Sequence, residues 1–425
     1  MEKMKLFIIE SKDINRDSYL WNMIGSLLMA FQSVIMLMIL TRTVGIAEAG
    51  IFTIAYANAN LFLTIGKYGM RNFQVSDVKN KYSFSEYLCS RKITFIAMII
   101  VSVVYVAYTA IVNSYTFEKS MTIIFMCFFK SIDSIEDIYF GMYQKQGRLD
   151  IASKIMTLRL AFTIVVFGCG VIIFQNQLLT LVIVTLITSF LLFLFIRWTY
   201  PLFDIQKDSI NSLKLWELIK SCFPLFIGTF LSFYIGNAPK YAIDSTLSDE
   251  LQACYGFIAM PVFVIGLLNS FIFNPKLFRL SCMWEKRESK LFIKHTGMQI
   301  AIIIGITTIC ILGAYLFGIP VLSFMYNTNL QPYKSELIIL LIGGGFLGMS
   351  GLLNAVITII RFQKWLAWGY AVVAALAFFL SDSVVKQYEM MGAAVLYTVL
   401  MAMLSVCFLI FFFIGIIIKR EKKYF

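Results

Sequence analysis

Long apolar runs separated by short polar breaks organise this chain from end to end. A helix that crosses a bilayer needs roughly 20 largely apolar residues, and the hydropathy pattern supplies about twelve such windows. They lie near 19–40, 46–66, 93–112, 120–142, 155–174, 178–196, 221–242, 251–273, 296–317, 335–358, 366–384 and 392–418. The pattern predicts an all-α integral membrane protein of about 12 transmembrane helices.

The longest polar break, "RWTYPLFDIQKDSINSLKLWELIK" at 197–220, divides the windows into six and six. Residues 1–198 would form an N-lobe of spans one to six, and 221–425 a C-lobe of spans seven to twelve. Residues 199–220 between them are expected as a cytosolic linker. Its second half has amphipathic spacing at Leu213, Trp216, Leu218 and Ile219, which predicts a helix lying on the membrane surface. The expected outer loops are short, the longest being "GIPVLSFMYNTNLQPYKSE" at 318–336. A shift of 203 residues lays "AGIFTIA" (49–55) over "QACYGFI" (252–258), each opening a span. Such faint repetition by hydropathy is what a two-bundle transporter would show.

Composition agrees with the pattern and adds an orientation. Hydrophobic residues make up 60% of the 425, charged residues 14%, and the mean hydropathy is +0.81; a soluble chain carries about a quarter charged residues. With both termini in the cytosol, about thirty of the 36 Lys and Arg residues fall on cytosolic segments, the bias of the positive-inside rule. Lys67, Arg71, Lys79, Lys81, Arg91 and Lys92 follow the second window, and "KREKK" closes the chain. Topology and anionic headgroups therefore account for the net charge of +12 without nucleic acid. The opening "MEKMKLFIIESKD" breaks its apolar pentad with charges at once, so the first span is expected to be retained rather than cleaved. The eight cysteines are scattered singly and read as small core residues.

Window four departs from the apolar rule, because Lys130, Asp133, Glu136 and Asp137 stand within two turns. At 1.5 Å per residue, Lys130 lies roughly 15 Å deep, near the bilayer centre. Helical spacing puts 130, 133, 134, 137 and 141 on one face, with Glu136 at its flank. Charge at that depth must face protein, water or another charge. One reading is an internal pair of Lys130 with Asp133 or Asp137 that locks helices together; the other is a face lining an aqueous cavity. Window two carries a comparable stripe of Asn60, Thr64, Lys67, Arg71 and Gln74, in which Lys67 and Arg71 are alternatively interfacial anchors. In window seven, "NAPKYAID" groups Asn237, Lys240, Tyr241 and Asp244. Cations at several depths suit a phosphate or pyrophosphate headgroup. The candidate substrate-binding residues are Lys130, Arg71, Lys67 and Lys240, and the candidate ion-coupling residues are Asp133, Asp137, Glu136 and Asp244. Tyr139, Tyr143, Tyr234 and Tyr241 stand near these faces, to stack on sugar rings or to pack.

Catalytic, metal and cofactor chemistry find no residues to work with. "GGGFLGMSG" at 343–351 contains G-x-G-x-x-G but sits inside a span, where small-xxx-small spacing means close packing. No Walker pattern occurs, and His295 is the single histidine. No enzyme, no metal and no cofactor is expected.

Four stretches carry a family resemblance: "YGMRNFQVSDVKNKYSFSEYLCSRKIT" (68–94), "QKQGRLDIASK" (144–154), "NAPKYAID" (237–244) and "GIPVLSFMY" (318–326). They resemble the polysaccharide transporter family, and among its members the Wzx-type O-antigen flippases, within the multidrug/oligosaccharidyl-lipid/polysaccharide exporter superfamily. The resemblance implies two six-helix lobes around a central cavity in the bacterial cytoplasmic (inner) membrane. It implies translocation of an undecaprenyl-pyrophosphate-linked oligosaccharide from inner to outer leaflet by alternating access, driven by an ion gradient. The partners it implies are the lipid-linked substrate, membrane lipids and other polysaccharide-assembly proteins. By the same resemblance Arg71, Lys130 and Lys240 are cationic cavity residues; motifs match around Arg71 and Lys240, while Lys130 rests on helix geometry. Two alternatives stay open. A multidrug cation exporter of the same superfamily would need an acidic cavity with few cations. A membrane-embedded glycan polymerase or acyltransferase would present catalytic groups on a sizeable loop or a buried histidine.

Overall fold

The computed structural model describes residues 2–77, 80–203, 205, 210–273, 276–362 and 364–421. Lys79, Lys422, Lys423 and positions 204 and 206–209 of the expected linker lie outside the described residues. Among those described, regular structure is helical throughout. In order they are α1 (Glu2–Ile9), α2 (Ile14–Thr43), α3 (Ile46–Lys67), α4 (Met70–Ser76), α5 (Phe84–Val112), α6 (Phe117–Lys145), α7 (Leu149–Phe174) and α8 (Gln177–Thr199). After the linker come α9 (Ser212–Thr246), α10 (Asp249–Phe273), α11 (Leu277–Glu285), α12 (Ser289–Gly313), α13 (Ile319–Tyr326), α14 (Lys334–Ile359) and α15 (Lys364–Glu421).

Ten helical runs are long and apolar enough to cross a membrane. The last of them, α15, is broken at Glu389, whose backbone has φ 48° and ψ −130°, so it supplies two crossings. That break falls between the windows expected at 366–384 and 392–418. Helix α6 fails the apolarity test because of its own charges, yet its 29 residues equal the length of α5. With these two additions the candidate crossings among the described residues number twelve, the number that the hydropathy predicts. The expected outer loop at 318–336 is shorter than the sequence implies. Helix α12 continues through a π-helical turn at Ala314–Gly318 into α13, with Pro320 in the first turn after that irregularity.

The helices form two compact units, Met1–Phe230 and Leu231–Phe425, and the division falls inside α9. Residues 212–220 are the first turns of that helix and run straight into the membrane window, rather than forming a separate surface helix. Neither glycine nor proline interrupts Ser212–Cys222, so helix propagates without a stop signal. Leu213 and Trp216 are exposed, whereas Leu218 and Cys222 are buried against Met70, Tyr82, Tyr87 and Ile138 of the first unit.

Element order repeats between the units. Helix α3 begins at Ile46 and α10 at Asp249, 203 residues later, and the short helices α4 and α11 follow at equivalent places. In unit 1, α6 is the hub, packed on α3, α5, α7 and α8; in unit 2, α14 packs on α10, α12 and α15. The two hubs are built differently. Helix α14 carries Gly343, Gly344 and Gly345, and a Cβ on each would meet Tyr397 at 2.7 Å, Val262 at 3.1 Å and Thr307 at 2.8 Å. Small residues therefore let α15, α10 and α12 approach on three sides. Hydroxyls of α15 use that closeness: Thr398 donates to the Ile339 carbonyl at 2.7 Å and Ser405 to the Phe346 carbonyl at 2.6 Å.

Overpacking this seam should be selective. Gly343→Val and Gly345→Val are each expected to destabilise unit 2 by about 1–3 kcal/mol, read as a lower thermal midpoint of the purified protein. Gly351→Ala, at a glycine with open space around it, should leave the midpoint unchanged.

Candidate functional site

The charged face of α6 is closed by protein on every side. Lys130, Asp133 and Glu136 are 2%, 5% and 6% exposed. Lys130 donates from Nζ to Gln32 Oε1 on α2 at 3.0 Å and to Asp133 Oδ2 at 3.1 Å, and it lies 4.6 Å from the ring centroid of Tyr56 on α3. The other Asp133 oxygen accepts from Arg159 Nη2 on α7 at 2.7 Å. Arg159 grips Glu136 with two further bonds, Nε to Oε1 at 2.9 Å and Nη2 to Oε2 at 2.6 Å. One turn along, Asp137 accepts from Arg91 Nη2 on α5 at 2.8 Å.

Three cations and three carboxylates therefore cancel inside unit 1 and tie α5, α6 and α7 together, with α2 joined through Gln32. Burying isolated charge at this depth is prohibitive, and bidentate guanidinium geometry is what makes a buried pair tolerable. Lys130 and Asp133 pair with each other, and together with Glu136 they are buried within unit 1. A void of about 10 Å³ lies against Glu136, Tyr139, Phe140 and Tyr143, room for about one water. Asp137 is paired with Arg91 and not with Lys130.

The stripe expected on window two is split by a break. Tyr68 and Gly69 both adopt left-handed backbone, φ 49° and 66°, so Lys67 ends α3 while Arg71 and Gln74 belong to α4. Gly69 is needed here for space as well, since a Cβ would meet Leu225 at 2.9 Å. The carbonyl of Gly66 at the end of α3 is capped by Thr94 Oγ1 at 2.9 Å and by Arg91 Nη1. Arg71 donates to Gln144 Oε1 at 2.9 Å and stacks 3.7 Å over the Phe140 ring. Lys67 and Arg71 are half-buried and interact electrostatically with the α6 carboxylates, Lys67 with Asp133, and Arg71 with Asp137 and Glu136. Five cations thus face three carboxylates around α6, leaving two positive charges in excess at the α3–α4 break.

Just past α4, Asp77 stabilises the following turn. Burial opposes its ionisation, but the Lys81 and Tyr82 amides, Lys145 at 3.9 Å and the Tyr87 hydroxyl together hold the carboxyl below its ordinary value.

In unit 2, Lys240 and Asp244 stand one turn apart on α9, both half-buried, so the spacing does bring them to one face. Tyr234 and Tyr241 stack on each other at 6.0 Å. Tyr143 is buried with its hydroxyl 2.7 Å from Thr199 Oγ1, and Tyr139 packs between Phe84 and Tyr200. These four rings pack against protein. Arg159, Arg91 and Gln32 did not enter the sequence reading as site residues. Arg159 carried a signal of its own, a charge inside an apolar run; Gln32 carried none beyond being polar in a span.

No family model matches the chain, and no curated protein matches it in sequence. Solved structures do match it along nearly its whole length. It is similar to the lipid II flippase MurJ in an inward closed conformation (TM-score 0.69, 14% identity, 91% of this chain and 87% of that one). It is similar to an inward-facing multidrug resistance MATE family transporter of the MOP superfamily (TM-score 0.65, 13% identity, 95% and 99%). A MOP superfamily transporter from Pyrococcus furiosus, described as having a binding pocket of reverse polarity, matches at TM-score 0.56 with 14% identity over 98% and 97%. The chain shares its fold with these solved structures.

Removing Arg159 should unbalance the network. Arg159→Gln leaves Glu136 buried without a cation and is expected to cost about 3–5 kcal/mol, read by thermal unfolding in detergent. Adding Glu136→Gln restores the charge balance and should recover part of the loss; a double variant as unstable as the sum of the two singles would mean that the charges are not coupled.

Proposed function

We propose that this protein is a flippase that carries undecaprenyl-pyrophosphate-linked oligosaccharide repeat units, of O-antigen or a related surface polysaccharide, across the bacterial cytoplasmic membrane. The direction is inner to outer leaflet, by alternating access, with both termini cytosolic. The observation that carries this reading is the charge excess at the α3–α4 break. Arg91, Lys130 and Arg159 are matched one for one by Asp133, Glu136 and Asp137, so Lys67 and Arg71 are left over.

A phosphorylated headgroup is the ligand such a surplus favours, and Arg71 presents the planar fork that grips phosphate oxygens. Lys240 offers a further cation in the second unit. Similarity to a solved lipid II flippase supports a lipid-linked substrate. The same excess disfavours a cationic drug, although the fold is shared with a multidrug transporter. Lys130 reaches a substrate only where the α6 network opens, because its ammonium is already shared by Gln32 and Asp133. Asp133, Glu136 and Asp137 are the candidates through which an ion gradient would act on the first unit, by loosening their pairs with Arg159 and Arg91; Asp244 is the candidate in the second.

In cells, loss of the protein should abolish the surface glycan while lipid-linked repeat units accumulate on the inner leaflet. In vesicles with defined lipid-linked oligosaccharides, Arg71→Ala with Lys67→Ala is expected to reduce transport at least tenfold at normal protein abundance, about 1.4 kcal/mol of lost interaction. Arg71→Lys should retain part of the activity. Normal glycan transport by the double variant, or export of cationic dyes by the wild type in its place, would overturn the reading.

A further inference from the structure

A second concentration of positive charge lies in unit 2, well away in sequence from the residues assigned above. Between 276 and 294 the chain carries Lys276, Arg279, Lys286, Arg287, Lys290 and Lys294 against only Glu285 and Glu288. Arg279, Lys286, Arg287, Lys290 and Lys294 are exposed. Among the described residues, none of these five makes an ion pair, and Lys276 bonds a neutral group, Gln299 Oε1, at 3.2 Å. Six cations and two carboxylates leave four positive charges uncompensated.

The stretch is nevertheless held firmly. Leu280 and Met283 bury one side of α11. The chain then reverses through Arg287, whose φ of 63° is left-handed, and Phe292 of α12 is fully buried. The side chains therefore point outward from a fixed scaffold.

An aromatic layer sets the depth of this end of the unit. Trp284 packs on Phe292 at 5.2 Å and Phe292 on Phe412 at 6.3 Å. Next to Phe412, Phe411 packs on Trp365 at 5.8 Å, and Trp365 stacks on Phe362 at 5.7 Å. Trp365 is 46% exposed and Leu291 39%, and exposed Arg361 and Lys364 stand close to Trp365 in sequence. Tryptophan concentrates at the boundary between hydrocarbon and headgroups, so this layer places the basic residues at headgroup level. Each basic residue close to an anionic bilayer is attracted to it, and an unpaired set gains that attraction without first breaking salt bridges.

We infer that the α11–α12 turn, with Arg279, Lys286, Arg287 and Lys290 at its centre, is a docking surface for anionic phospholipid headgroups that anchors unit 2 in the bilayer. The partner is the membrane's own lipid, and the inference stands whether or not the transported molecule is the one proposed above.

The test uses the full-length protein in nanodiscs of phosphatidylcholine alone and of phosphatidylcholine mixed with phosphatidylglycerol. The thermal midpoint of the wild type should rise with phosphatidylglycerol, and the rise should shrink in high salt. In a variant carrying Arg279→Gln, Lys286→Gln, Arg287→Gln and Lys290→Gln, most of that rise should be lost while the midpoint in phosphatidylcholine is kept. If that variant proves unstable in phosphatidylcholine, the pair Lys286→Gln and Lys290→Gln should lose part of the rise at an unchanged baseline. Arg279→Lys with Arg287→Lys, and separately Lys3→Gln with Lys5→Gln, should keep it. The inference is overturned by no rise in the wild type, by a rise that both neutralised variants retain in full, or by inorganic pyrophosphate reproducing it in phosphatidylcholine, which would assign the surface to a soluble anion.

Discussion

The packing of the first unit turns on one arginine. Arg159 closes on Glu136 with two bonds and on Asp133 with a third, and without it α6 would bring uncompensated carboxylates into a low-dielectric core. Placing three acids, a lysine and two arginines inside one bundle is permissible only because each charge finds a partner, Lys130 on Asp133 of its own helix and the carboxylates on arginines of neighbouring ones. The partners come from different elements, Arg91 from α5 and Arg159 from α7, so the same requirement fixes the register of α6 against both. Gln32 extends the constraint to α2 through Lys130. Hub position and charge content are thus linked: a helix with neighbours on all sides has nowhere to direct a charge except into another helix.

The repeat solves the same problem twice by opposite means. At the matching place in unit 2, α14 replaces charge with absence of side chain, and Gly343, Gly344 and Gly345 let three helices approach. Without a hydrophobic driving force between helices in lipid, close van der Waals contact and hydroxyl-to-carbonyl bonds must hold them, which is what Thr398 and Ser405 provide. The α6 hub adds ion pairs to close approach, which it also has where Gly66 meets Ser134 and Gly141 meets Gln74, whereas the α14 hub relies on close approach at Gly343, Gly344 and Gly345. A shared ancestral layout is compatible with this divergence, since hydropathy constrains only that each hub be long enough to span.

Helix existence was legible because hydropathy is a collective property of some twenty residues and survives local error. The break at Glu389 was readable as the polar gap between two windows, and twelve helices followed. What hydropathy missed are features set by a few residues: the continuity of α9 through 212–220, where no breaker stands, and the left-handed pair Tyr68–Gly69 that separates Lys67 from Arg71. The site was legible in its inventory and not in its pairing. Sequence located every acid of the network, because acids inside a span are conspicuous. It could not say that Asp137 faces Arg91 on α5, since helical spacing fixes which face a residue occupies but not which helix lies opposite.

That distinction changes what the charges of unit 1 can do. Lys130 is the most conspicuous cation in the sequence, yet it is bound to Gln32 and Asp133 and lies against Tyr56. Arg71 and Lys67 look like ordinary interfacial anchors, yet among the described residues they are the two cations around α6 left without a carboxylate of their own. For an anion, a pre-paired lysine offers little, because its carboxylate must first be displaced and then left buried alone. A half-exposed guanidinium held flat by Phe140 and Gln144 is already oriented and loses little freedom on binding. The surplus sits where the backbone is also broken, at Tyr68 and Gly69, so charge and a change of helix direction meet at one place. Any anion gripped by Lys67 and Arg71 together spans the break, and its binding energy is then available to favour one angle between α3 and α4 over another.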